Sequence, residues 1–203
     1  SDEEGLNKLV ADINEAGDSA VGRLLNAVDE DAIENLIVDI EKNEGPIEIV
    51  VFNLGAQFGD RTLEETSYKL FELGWRMTSF ALFRVAKTLA PIWEARGGGK
   101  ILVTSATSAM RGNAGQHAHA AAIGGRRLLC QTLNAELSVK GIHICHIYID
   151  AMIEAAAAKR WMQVRARVSV CVCACARVCV LDAGACVQAG AGACLYVRVS
   201  VCV

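Results

Sequence analysis

His119 can give or take a proton near neutral pH, since an unperturbed imidazole titrates at about 6.5. It opens the run His119-Ala-Ala-Ala-Ile123 at the start of an expected helix. Ser105 and Thr107 place hydroxyls in a turn after an expected strand, and Thr78 places another inside a long helix. Each also has an ordinary use: a histidine can pack or cap a helix start, and Ser and Thr are common turn residues. His117 stands two positions from His119, off its helix face, so no two-histidine metal site is expected there. Cys171, Cys173 and Cys175 alternate along a segment that would be extended. Their spacing is not that of a zinc site, and no metal is expected.

These residues need elements to position them. Leu6–Ala16 reads as a short amphipathic helix with Leu6, Leu9, Val10 and Ile13 on one face. Ala20–Leu25 is an expected strand. Asp31 and Glu34 have capping-box spacing, and their helix runs to about Asn43, where Gly45-Pro46 stops it. Ile47–Asn53 is apolar and of strand length, which suits a parallel strand covered on both faces. A long helix is expected over Leu63–Arg96, with Leu70, Leu73, Met77, Phe80 and Leu89 facing the core. Lys100–Thr104 is a strand, Gly115–Val139 a helix, Ile142–Asp150 a strand and Ala151–Lys159 a weak helix. Helices alternating with apolar strands mean an α/β domain built on a parallel sheet.

The 203 residues carry a net charge of −3. Four arginines and one aspartate follow Arg160, so the first 160 residues carry −6. An acidic body without a basic stripe argues against nucleic acid and against anionic membrane as partners. Seven of the nine cysteines lie beyond residue 170. The body keeps only Cys130 and Cys145, which suggests a reducing compartment and a cytoplasmic location. The longest uncharged run, Ala183–Val197, has 15 residues, short of the roughly 20 needed to span a bilayer.

Several motifs resemble the short-chain dehydrogenase/reductase superfamily. Phe52-Asn53-Leu54-Gly55-Ala56 is similar to its Asn-Asn-Ala-Gly, with Phe52 replacing the first Asn. Gly99–Ser105 resembles the strand before the catalytic serine. Asn134-Ala-Glu-Leu137 and Lys140-Gly-Ile-His-Ile144 resemble the end of the active-site helix and the next strand. The resemblance covers about Leu6–Ile153. It implies a Rossmann-like, doubly wound parallel sheet and hydride transfer between a nicotinamide and a carbonyl or alcohol.

In that family a tyrosine is the general acid. A lysine four residues on tunes it and holds the nicotinamide ribose. A serine binds the substrate oxygen, and an asparagine in the long helix supports a proton relay. The matching positions here are His119, Ile123, Ala106 and Thr78, and all four differ. Ser105 or Thr107 could supply the hydroxyl after a one-residue shift, and His119 could be a variant acid. Ile123 brings neither charge nor donor. General acid–base help is worth about 10²–10⁴-fold in rate, so the resemblance implies little activity in this chain. Asn53 and Gly55 are the implied cofactor contacts, with NAD or NADP in an intact parent.

No glycine-rich phosphate turn occurs before Ile47. The expectation is that a first strand, its helix and a second strand are missing, at least about 30 residues. No cofactor is therefore expected on this chain. In strand order 3-2-1-4-5-6 the missing strands lie between Ala20–Leu25 and Ile47–Asn53. The latter becomes an apolar edge and the fragment is expected to be poorly stable, unless the two strands dock directly.

The organisation expected is an incomplete dehydrogenase-like domain over residues 1–160 and a low-complexity tail over 161–203. The tail, with its Val-Cys, Ala-Cys and Val-Arg pairs, reads as translated GT-repeat DNA. It stands where the family has its substrate-binding elements, so no substrate class follows. The expected parent is an oxidoreductase with a small-molecule substrate, and this chain an inactive form of it. The alternatives are a non-catalytic cofactor-sensing or dimerising relative and a gene-model fragment. The helices at 63–96 and 115–139 resemble those through which the family forms homodimers.

Overall fold

The computed structural model describes residues 3–29, 31–55 and 58–149. The expected helix over 151–159, Asp150 and the tail lie outside these residues. Helix α1 (Glu3–Glu15) is followed by α2 (Ala32–Asn43) and strand β1 (Ile49–Phe52). Helix α3 (Tyr68–Trp75) runs through a π turn at Arg76–Phe80 into α4 (Ala81–Arg96). Then come β2 (Gly99–Ala106), a 3₁₀ turn at Thr107–Ala109, α5 (His117–Leu137) and β3 (Ile142–Ile149).

The three strands form one parallel sheet in the order β1-β2-β3. Ile49 pairs with Lys100 and Phe52 with Val103; Gly99 pairs with Ile142 and Ala106 with Ile149. The main core lies between this sheet and α2, α4 and α5. Leu82, Leu89, Trp93, Ile101 and Val103 are fully buried in it. Of the five expected core residues of the long helix, Leu89 is fully buried; Leu70, Leu73, Met77 and Phe80 are half-buried.

The helix starts at Tyr68 rather than Leu63, because Ser67 caps it by accepting from the Leu70 N–H at 3.2 Å. Thr62 and Glu65 close a separate turn upstream, with the Thr62 N–H on Glu65 Oε2 at 2.8 Å. Asp31 makes no side-chain cap to α2; its backbone carbonyl accepts from Asn35 instead.

Ala20–Leu25 is not a strand. A strand closes its backbone polar groups on a neighbouring strand, and this segment meets helices. Its Arg23 pairs with Asp39 and Glu44 around α2, and Asn14 of α1 holds the backbone of Ala20. Leu25 and Ala27 touch the core, but Val21 and Leu24 stay exposed. Beside the outer edge of β1 an apolar cavity of about 40 Å³ is lined by Leu25, Ile33, Ile37, Val50 and Phe52. No residue of α1 is buried; its Leu6 and Val10 lie against Gly22.

The entrances to β1 and β2 are locked together. Trp93 Nε1 and Arg96 Nη2 both donate to the Ile47 carbonyl, at 2.5 and 2.7 Å. Glu41 accepts from Arg96 and from the Ile47 N–H. The Arg96 hydrogen bond holds the Glu41 carboxyl below its usual range. Gly98, at φ +131°, lets the chain pass against the Gly141 carbonyl.

Candidate active site

In open parallel sheets, ligands bind beyond the carboxyl ends of the strands. Here those ends are Phe52–Gly55 at the end of β1, Ser105–Ala109 at the end of β2 and Ile149 of β3, with the start of α5 following the second. Gln116 stands before α5 without capping it. Its side chain instead joins Asp60 and Ser108, each at 3.3 Å, while the Arg61 N–H donates to the Gly115 carbonyl at 2.8 Å. The 58–61 loop is thereby fastened over the helix start.

His119 is half-buried and lines a cleft with Phe58, Arg61, Gly115, Gln116 and His117. Both histidines reach it, although two-residue spacing points them apart in a regular helix. The cleft measures about 10 Å³, room for about one water. Neither Ser105 nor Thr78 lines it. Among the described residues no cluster of three or more His, Cys, Asp or Glu could hold a metal.

The other candidates are closed inside the fold. Thr78 is fully buried in the π turn, and its hydroxyl donates to the Gly74 carbonyl at 2.8 Å. The next residue, Ser79, donates to the Ala122 carbonyl at 2.7 Å and ties the turn to α5. Ser105 is buried, and its Oγ has no hydrogen-bond partner among the described residues. Ile123 is 1% exposed and packs with Ala106, Ala109 and Tyr148 in a small apolar cluster. Ala106 and Ile123 thus meet through hydrocarbon.

Asn53 is exposed, but its Oδ1 accepts from Thr104 Oγ1. Gly55 borders open space. A nicotinamide ribose would need a donor or charge at position 123, and Ile123 has neither. The residues present do not fit that ribose.

Two buried residues near the site carry charge chemistry that the sequence reading passed over. Arg126 of α5 is 3% exposed. It donates to the Leu54 carbonyl at 2.7 Å and to the Thr104 carbonyl at 2.8 Å, bridging the ends of β1 and β2. Burial lowers its pKa. His146 of β3 is 4% exposed, and neither ring nitrogen has a partner among the described residues. Burial first, then the charges of Arg126 and Arg127, push its pKa down to about 4.

This arrangement of parallel strands, α5 and the Asn53–Gly55 turn can be set beside known proteins. The family profile described as short chain dehydrogenase matches residues 1–165. The chain belongs to the short-chain dehydrogenase family.

Among curated relatives, the 3-oxoacyl-[acyl-carrier-protein] reductase MabA of Mycobacterium avium is 26% identical over 149 residues, 71% of this chain and 58% of that protein. Peroxisomal multifunctional enzyme type 2 of Mus musculus is 31% identical over 137 residues, 68% of this chain and 18% of that enzyme. The chain thus spans only part of these relatives. A short-chain dehydrogenase structure from Rhodopseudomonas palustris superposes with a TM-score of 0.69 at 36% identity, covering 78% of this chain and 73% of that one. A 7α-hydroxysteroid dehydrogenase complexed with NADH and 7-oxo glycochenodeoxycholic acid gives 0.72 at 22% identity, covering 79% and 62%. That last likeness speaks for the shared fold alone. The Rossmann-like α/β architecture of the short-chain dehydrogenases is therefore that of this chain.

Proposed function

We propose that the intact protein derives from an NAD(P)-dependent short-chain oxidoreductase acting on a carbonyl or alcohol, and that this chain has lost turnover. The observation that supports the loss is the apolar cluster of Ala106, Ala109, Ile123 and Tyr148. Acid catalysis in this family needs a cation beside the acid, and here that position is sealed hydrocarbon. Asn53 and Gly55 are the dinucleotide contacts that the reading assigns to an intact parent. His119 lines a cleft together with His117, and in an intact parent it would donate the proton. Thr78 and Ser105 serve the fold.

The test is an assay of NADH and NADPH oxidation by the full chain with a panel of aldehydes and ketones, run beside His119→Ala. No turnover above buffer is expected from either protein. Turnover that disappears in His119→Ala would overturn the reading and make His119 an acid in this chain.

Helices α3, α4 and α5 also expose large apolar side chains: Phe71, Trp75, Phe83 and Leu128. They support the proposal of a homodimer formed through these helices.

A further inference from the structure

We propose that His146 makes the packing of α5 on β2 and β3 acid-sensitive. The ring is buried on the sheet face that α5 covers, beside Tyr148, whose ring it meets edge-on at a centroid distance of 4.5 Å. Neither Nδ1 nor Nε2 has a hydrogen-bond partner among the described residues. From α5, the groups on this side are the guanidiniums of Arg126 and Arg127 and the thiol of Cys130. From β2 the same face carries Ser105, opposite Tyr148 in register. Both charges that act on the ring are positive.

A proton on His146 would therefore be a further cation in a buried space, with no hydrogen-bond partner for it among the described residues. The closed form excludes that proton. An opened form, with the ring in water, takes it up at about pH 6.5. The folded pKa is the depressed one, near 4. Below pH 6.5 the opened form binds more protons than the closed form, so closure weakens as pH falls. The weakening approaches about tenfold per pH unit across the window between the two values. The helix packed over the ring is the one that carries His119 and Ile123.

The experiment compares urea unfolding of the unaltered chain and of His146→Phe between about pH 7 and pH 5. Phenylalanine keeps a ring beside Tyr148 and cannot take a proton. The folding equilibrium constant of the unaltered chain is expected to fall on acidification by up to about tenfold per pH unit more than that of the variant. Equal pH dependence in the two proteins overturns the proposal. If His146→Phe does not fold, the His146 ring is titrated by NMR in the unaltered chain. A ring still neutral at about pH 5.5 supports the proposal, and a folded-state ring that protonates near 6.5 overturns it.

Discussion

Arg126 spends a buried charge on two backbone carbonyls, one at the end of β1 and one at the end of β2. Hydrogen bonds to charged groups contribute about 1.5–3 kcal/mol each, and part of that offsets the cost of burying the cation. Arg126→Met removes both bonds and leaves the Leu54 and Thr104 carbonyls unpaired. We expect a loss of about 2–3 kcal/mol in urea unfolding, and a loss below about 1 kcal/mol would show that the bridge contributes little. At this scale the sequence was half legible. His119, Ala106 and Ile123 were picked out by the resemblance to the family's motif, and in the fold Ala106 packs against the cluster that holds Ile123. Arg126 was not found, because helix spacing alone does not say which long side chain turns inward. His146 left a signal: in Ile142–Ile149 it shares strand alternation with Ile142, Ile144 and Tyr148, all buried. What alternation cannot give is the charge of the helix laid over that face.

Trp93 sits where α4 meets the start of β2, and Gly99 gives its ring room. A Cβ on Gly99 would fall inside the Trp93 indole. The ring is fixed by the core and by its bond to Ile47, so it has nowhere to move. Gly99→Ala is expected to cost about 1–3 kcal/mol, as overpacking does. The penalty should shrink in a Trp93→Leu background, a coupling read from a double-mutant cycle of urea midpoints; simple additivity would refute the contact. Element type was largely readable here, since the glycines, apolar runs and helix periods give three of the four expected strands and every long helix. Ala20–Leu25 failed for a physical reason. Strand character is completed by a neighbour, and this apolar stretch has helices beside it. The Leu63 boundary failed because a cap decides where a helix begins, and Ser67 made a better one.

Among the described residues, helices α3, α4 and α5 leave large apolar side chains exposed. Phe83 is 40% exposed and Leu128 is 59% exposed, and such surface is a frequent mark of association. Phe83→Glu is expected to shift the chain from dimer to monomer in sedimentation without lowering its urea midpoint. A chain already monomeric before the change would sink the homodimer. Among the described residues no helix is long and apolar enough to cross a membrane. The sequence by itself determined the α/β class, the parallel strands and the family, because periodicity and ordered motifs are carried by many residues along the chain. Only the tertiary structure decided what the substituted positions became. Contact across elements brought Ala106 and Ile123 together as hydrocarbon, sealed Thr78 and Ser105, and put His146 against two arginines. Burial and charge pairing arise from residues far apart in the chain, and no local pattern encodes which of them will meet.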